Sequence, residues 1–130
     1  MISLVEMAVH RAIDMSDDVS SDVSGEVELV VVTMQFDALD DAALHDELRS
    51  VLSKYVVLAR MEPGCRNVDL ISSVTHGRRH LVVEKWESPD SQRQHFDSPV
   101  MVEMASACTG LLSSPPHIDL WEATSAHDLR

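Results

Sequence analysis

The chain has 130 residues, of which 22 are acidic and 10 basic, and its formal net charge is -12 at neutral pH. This acidic balance argues against nucleic-acid phosphates or an anionic membrane surface as partners, and no apolar run reaches membrane-spanning length. The two cysteines lack metal-type spacing and favour a reducing compartment, so we expect a cytoplasmic protein with one folded domain.

The first 26 residues have the composition of an extension that ends in an acidic linker. Residues 14–26 are dominated by acids and serines, so they bury too little apolar surface to offset the entropy of ordering. The segment before them has the spacing of a short amphipathic helix, which is marginal unless it docks on another surface. We therefore predict an extension over 1–26, a folded domain over 27–123 and a tail over 124–130.

The folded domain is predicted to begin with a strand and a long helix. Residues 27–36 are short and β-branched, which is typical of a buried strand. Asp40 or Asp41 then suits the N-cap of a helix. Apolar side chains recur along this helix at three- and four-residue steps, at Leu44, Leu48, Val51, Leu52, Tyr55, Leu58 and Ala59.

The helix is predicted to end at Glu62-Pro63-Gly64. Pro63 has no backbone N–H and disfavours helical geometry in the residue before it, and Gly64 can adopt a positive φ. Cys65 then begins the next strand, where we expect a small buried hydrophobe rather than a nucleophile.

A hairpin is predicted next, with its turn at His76-Gly77. Alternation along its second strand divides the side chains between two faces. Val82, Glu84 and Trp86 share the face that is expected to meet the helices, and Leu81, Val83 and Lys85 share the other.

Two short helices and a strand complete the domain. Ser88 is a suitable N-cap, and Pro89 suits the first helical position. Ser98-Pro99 interrupts the helix, a second helical piece is predicted to about Leu112, and a last strand is predicted over 117–123. The order strand, helix, strand, strand, helix, strand indicates an α+β fold with ferredoxin-like topology and a four-stranded antiparallel sheet. Because one sheet face would remain apolar and open, we expect a homodimer.

Several short motifs resemble the antibiotic biosynthesis monooxygenase family. They are the turn E-P-G-C, the pair Glu84 and Trp86, His95 nine residues after the tryptophan, and Ser98-Pro99. The resemblance covers residues 27–123 and implies a dimeric α+β barrel. It also implies cofactor-independent oxidation of a quinol or polyphenol by dioxygen, since such a phenolate can itself pass an electron to dioxygen.

The family pattern is kept only in part. The pocket tryptophan of its best-understood members matches Trp86, while Val82, Gln92 and Ser106 occupy the other pocket positions. The positions that hold an asparagine, a tryptophan and an iron-binding histidine in the haem-degrading branch are Val32, His95 and Met104 here. We therefore expect neither haem degradation nor any bound cofactor.

These considerations define the candidate site. His95 is the expected proton acceptor because its ordinary pKa lies near neutrality, and the alternative is a half-exposed helical histidine. Trp86 is the second expected catalytic residue, which orients the substrate ring by stacking on it, and the alternative is that it fills core volume. Tyr55 either binds a ligand or reaches the core edge, and Glu84 needs a partner such as Arg60 or Arg93. The expected substrate-binding residues are Val32, Met34, Tyr55, Val82, Glu84 and Met104.

Two other functions remain open at this point. The apolar replacements at Val32 and Val82 also suit a non-catalytic domain that binds a small ligand, and a pocket with one base would suffice for an isomerase or cyclase. The other histidines have no ligand spacing, so we assign no metal. Motifs for nucleotides, dinucleotides and catalytic triads are not found in the sequence.

Overall fold

A computed structural model describes residues 29–124. Its elements are β1 (Val30–Asp37), α1 (Ala42–Ala59), β2 (Cys65–Ser72), β3 (Arg79–Trp86), α2 (Pro89–Phe96), α3 (Pro99–Ala107) and β4 (His117–Glu122). The four strands form one antiparallel sheet in the order β2-β3-β1-β4, so the predicted ferredoxin-like α+β fold is confirmed. The predicted extension over 1–26, and the predicted tail apart from residue 124, lie outside the described residues.

One face of the sheet packs under the helices and carries the core. Alternate residues of β1 and β3 point to this face, so that Val32, Met34, Val82 and Trp86 are fully buried. Helix α1 contributes Leu48 and Leu52 from its predicted apolar stripe, whereas Val51 and Leu58 of that stripe are only half-buried. The assignment of the two faces of β3 from the sequence is therefore confirmed.

Helix α1 begins and ends for the reasons that its sequence indicates. Asp41 is the N-cap, and its Oδ1 accepts a hydrogen bond of 3.0 Å from the backbone N–H of Leu44. The helix ends at Ala59, slightly before the predicted stop, and Gly64 adopts a φ of 82° in the turn that leads into β2. Cys65 is half-buried rather than buried as expected, because β2 lies at the edge of the sheet.

The remaining boundaries differ from the predictions by a few residues. Strand β1 extends to Asp37, and β4 ends at Glu122. Ser88 and Ser98 are the N-caps of α2 and α3, and each is followed by a proline in the first turn. Helix α3 ends at Ala107, earlier than predicted, because Gly110 with a φ of 81° turns the chain toward β4.

In the described part of the chain, no helix covers the second face of the sheet. It presents Val31, Leu81 and Val83, which are half-buried at its centre, and Ile71 and Trp121, which are 51% and 54% exposed. The indole N–H of Trp121 donates a hydrogen bond to Thr33 Oγ1 on the adjacent strand at 2.9 Å. Within residues 29–124, the structure has no helix both long and apolar enough to cross a bilayer.

Candidate functional site

Four side chains from three elements meet beneath the helices. Tyr55 comes from the buried face of α1, Glu84 and Trp86 come from β3, and His95 comes from α2. Glu84 and Trp86 lie two residues apart on a strand, so both point to the helix-covered face. Tyr55 and His95 are each 2% exposed, and the other two are fully buried. The sequence assigned Tyr55, Glu84 and Trp86 to the correct faces, and the structure brings them into contact with His95.

The hydroxyl of Tyr55 lies at the centre of this group. It forms hydrogen bonds with Glu84 Oε2 and, at 2.6 Å, with His95 Nε2. The indole N–H of Trp86 donates to the other carboxyl oxygen of Glu84 at 3.0 Å. The indole and imidazole rings stack with centroids 4.5 Å apart and an interplanar angle of 26°. Trp86 is thus held by both of its neighbours.

Burial raises the pKa values of two acidic groups in this cluster, Glu84 and Tyr55. Burial raises the pKa of Glu84, although His95 and the hydrogen bonds from Tyr55 and Trp86 act in the opposite direction. Burial and the neighbouring Glu84 also raise the pKa of Tyr55 well above its ordinary value. The Tyr55 hydroxyl has a single proton, which it donates to Glu84 Oε2 when that carboxyl group is ionised, or to His95 Nε2 when a protonated Glu84 donates to the Tyr55 oxygen. Transfer of the Glu84 proton to the Tyr55 oxygen, together with transfer of the Tyr55 proton to His95 Nε2, converts a neutral carboxyl group and a neutral imidazole into a carboxylate and an imidazolium ion.

Glu62 lies at the far side of His95. Its Oε1 is 3.6 Å from His95 Nδ1, and among the described residues neither of these two atoms has a hydrogen-bond partner. Glu62 thus completes a line of ionisable groups that runs from Glu84 through Tyr55 and His95.

Two expectations about this group were wrong. Glu84 does not pair with Arg60 or Arg93, because Arg60 donates to the Val68 carbonyl oxygen at 2.9 Å and Arg93 lies 3.9 Å from Asp90. The partners of Glu84 are Tyr55 and Trp86 instead. The alternative of a half-exposed His95 is also wrong, because that side chain is buried.

A groove between α1 and α3 opens to the surface beside this group. Its volume is about 240 Å³, and it is lined by Ser50, Val51, Lys54, Tyr55, Leu58, Val100, Glu103, Met104 and Ala107. Tyr55 belongs both to the lining of the groove and to the hydrogen-bonded group beneath it. Tyr55 is thus the residue through which the groove and the buried group are in contact.

The structure separates the residues that were expected to line a pocket. Tyr55 and Met104 line the groove. Val32, Met34 and Val82 are fully buried in the core on the helix-covered face of the sheet. They lie beside Glu84 on the same face of the sheet. Val82 is two residues before Glu84 on β3, and Val32 and Met34 are opposite Glu84 and Val82 on β1.

The sequence analysis missed several groove residues. Lys54 and Glu103 are the charged members of the lining, and their side chains meet across the groove at 2.6 Å. The signal was the four-residue spacing of Ser50, Lys54 and Leu58, which places them on one face of α1. A similar spacing runs along α3, but nothing in the sequence showed that these two faces would meet.

A second polar cluster lies near the start of α1. His45 and His80, which seemed scattered in the sequence, approach with their Nε2 atoms 2.7 Å apart, and Ser72 Oγ lies 2.9 Å from His80 Nδ1. Burial, followed by the nearby His45 and Arg49, lowers the pKa of His80. Across residues 29–124 no three His, Cys, Asp or Glu side chains are grouped so as to hold a metal ion.

Comparison with known proteins assigns this fold and sequence to a class. The model of the family described as antibiotic biosynthesis monooxygenase matches residues 29–107, and the chain belongs to that family. Membership supports monooxygenase chemistry at the level of the family. A search of curated proteins finds no match to the chain.

Solved structures show the same fold. Rv0793 of Mycobacterium tuberculosis is 23% identical with a TM-score of 0.68, over 75% of this chain and 97% of its own. A candidate antibiotic biosynthesis monooxygenase from Caulobacter crescentus is 20% identical with a TM-score of 0.69, over 76% and 92%. Another from Deinococcus radiodurans is 19% identical with a TM-score of 0.67, over 78% and 98%. At these identities the likeness concerns the fold alone.

Proposed function

We propose that the protein is a cofactor-independent monooxygenase that oxidises a small phenol or quinol in the groove between α1 and α3. The observation that carries this proposal is the position of Tyr55, which belongs to the lining of the groove and whose hydroxyl group is hydrogen-bonded to His95 and Glu84. Family membership supports the reaction class. The buried line of proton donors and acceptors supplies what a phenolic substrate needs from the protein.

The first step is removal of the substrate's hydroxyl proton. Tyr55 accepts this proton on its oxygen while it passes its own proton to His95 Nε2, which is 2.6 Å away. The imidazolium ion is then stabilised by Glu62 near Nδ1. Trp86, expected from the sequence to orient the substrate ring, positions His95 in this proposal because the two rings stack.

The phenolate then reacts directly with dioxygen. It transfers one electron to dioxygen, the resulting radicals join at a ring carbon, and the peroxide collapses to a carbonyl group and water. The balance is one phenol with a ring C–H plus one O₂, giving one quinone and one H₂O. The substrate supplies all the electrons for reduction of the second oxygen atom. The apolar walls around Met104 disfavour solvation of the charged species and their escape into water.

The test is dioxygen uptake with one- and two-ring phenols and hydroquinones, measured with an oxygen electrode and corrected for autoxidation. We expect saturable uptake in proportion to enzyme concentration, with quinone formed in equal amount. A panel that gives no uptake above the blank would refute the oxygenase.

A second candidate is a non-catalytic domain that binds a small ligand in the same groove. The observation that favours it is the complete burial of Glu84 and Trp86, because a buried polar group whose hydrogen bonds are largely satisfied can serve the core alone. Ligand binding with no dioxygen uptake would identify this function. The same result is also expected for an isomerase or cyclase, and analysis of the products formed under nitrogen would identify either of these.

A homodimer is part of the proposal. A second copy of the chain would cover the open sheet face, whose centre is apolar at Leu81 and Val83 and whose rim carries both Lys85 and the acids Asp69 and Asp119. In a two-fold symmetric dimer, the basic part of this face in one copy can contact the acidic part of the same face in the other copy. Sedimentation should give a dimer for the wild type and a monomer for Val83→Arg. Val57→Arg, an equally large change on the outer face of α1, should leave the dimer intact.

A further inference from the structure

The ion pair between Lys54 and Glu103 lies at the entrance of the groove. Lys54 Nζ is 2.6 Å from Glu103 Oε1, and the two side chains are 65% and 59% exposed, whereas Tyr55 in the same lining is buried. The pair therefore marks the outer end of the groove, and the buried residue Tyr55 marks its inner end. The walls between these ends are mainly apolar, with Val51, Val100 and Met104 among them.

An exposed ion pair of this kind is easily exchanged. Both side chains are solvated, so their attraction contributes little to stability. The ammonium group of Lys54 has three donors, and Glu103 uses one of them here. A carboxylate on a bound ligand can therefore take a free donor or replace Glu103, without leaving a buried charge uncompensated.

The geometry points to a specific substrate class: a hydroxylated arene of one or two rings that carries a carboxylate at the end opposite its hydroxyl group. The hydroxyl group meets Tyr55, the ring lies against the apolar walls, and the carboxylate meets Lys54. This inference rests on the proposed function, since it places the reacting hydroxyl group at Tyr55. The volume of about 240 Å³ is below the range of roughly 300–1,000 Å³ typical of drug-sized ligands, which limits the ring count.

The charge of the whole chain makes Lys54 decisive for this selectivity. A net charge of -12 repels anions, so an anionic ligand needs a cation within the groove itself. Lys54 is the cation of the lining, and Glu103 opposes it. Removing each charge should therefore change the binding of a carboxylate in opposite directions.

The experiment is a fluorescence titration under nitrogen, so that binding is measured without turnover. The probes are 6-hydroxy-2-naphthoate and its neutral analogue 6-(hydroxymethyl)-2-naphthol. We expect the wild type to favour the carboxylate by about fivefold, and Lys54→Met to abolish that preference while leaving the neutral probe unchanged. Glu103→Gln should strengthen binding of the carboxylate. Arg49→Met is the matched control, because Arg49 lies on α1, pairs with Asp46 and does not line the groove.

The outcomes separate this inference from the proposed function. Equal affinity for the two probes, or a preference that persists in Lys54→Met, overturns the assignment of the carboxylate while dioxygen uptake with neutral phenols would still support the oxygenase. Failure of both probes to bind overturns the inference together with the groove as the substrate site.

Discussion

The Tyr55 hydroxyl lies 2.6 Å from His95 Nε2, although α1 and α2 bring these residues from positions 40 apart in the chain. This contact joins a surface groove to a buried acid and base. It requires that α1 present Tyr55 on its buried face and that α2 end beside β3. The apolar stripe of α1 accounts for the first condition, and the N-cap at Ser88 starts the short helix α2 directly after β3.

Tyr55→Phe removes only the hydroxyl group and tests its role in proton transfer. We expect kcat for dioxygen uptake to fall by about 10²–10⁴-fold, because the substrate proton loses its path to His95. The free energy of unfolding should fall by about 1–3 kcal/mol, since Glu84 and His95 lose their shared partner. Met104→Leu reshapes the groove wall without touching the proton path and should retain most of kcat. An unchanged kcat in Tyr55→Phe would show that the hydroxyl group does not act.

Glu84→Gln tests the protonation of the buried carboxyl group. Burial raises the pKa of Glu84 above its ordinary value of 4.5, so the wild type loses stability as the pH rises above about 4.5, where the unfolded chain releases this proton. Glutamine does not titrate and can still accept from Trp86 and donate to Tyr55. The stability of the variant relative to wild type should therefore increase from pH 4 to pH 8 in urea unfolding. The exposed Glu47→Gln should show no such trend, and a flat difference for Glu84→Gln would contradict the account.

The paired histidines predict a loss of stability in acid. The pKa of His80 is lowered, so between that value and the ordinary value of 6.5 the unfolded chain binds more protons than the folded one. Stability should therefore fall as the pH drops below about 6.5. His80→Gln keeps a polar partner for His45 and should lessen the fall, whereas the exposed His117→Gln should not. Urea denaturation between pH 8 and pH 5 measures the free energy of unfolding of the wild type and of both variants. The same pH dependence in all three proteins would refute the role of His80.

Gly64 is required by both its backbone and its surroundings. Its φ is 82°, and a Cβ atom at this position would overlap the side chain of Ser91 at the start of α2. Gly64→Ala should therefore destabilise the fold by about 1–3 kcal/mol in thermal unfolding. Gly110→Ala has a similar φ with open space around it and should cost less, and Gly77→Ala should cost least. Equal effects at all three positions would contradict this explanation.

The sequence predicted the fold well because its signals were local. Alternation along β3 assigned Glu84 and Trp86 to the helix-covered face, and Pro63-Gly64 and Ser98-Pro99 separated the elements. The contacts between side chains of different elements could not be predicted from these local signals. A pattern with a period of 3.6 residues identifies the face that holds Tyr55, but it does not tell which acid or base lies opposite.

The groove and the histidine pair show the same limit. Lys54 and Glu103 are 49 residues apart, and His45 and His80 are 35 apart, so each pairing depends on the packing of two elements. The face of Glu84 was correctly predicted but its pairing with an arginine was wrong, because its contact with Tyr55 depends on how α1 packs on β3. The sequence has one tyrosine, on the apolar stripe of a helix, and one glutamate on the helix-covered face of β3. Two polar side chains that both point into the core are candidates for a hydrogen bond with each other.

The central claim is that the protein inserts one oxygen atom from dioxygen into a phenol bound at Tyr55. The most direct measurement is mass spectrometry of the product formed under ¹⁸O₂ in ordinary water, quenched before the carbonyl groups exchange. The account predicts a quinone that carries one ¹⁸O atom, with formation strongly reduced in Tyr55→Phe. A quinone without label, or no product from any phenol that binds in the groove, would contradict it.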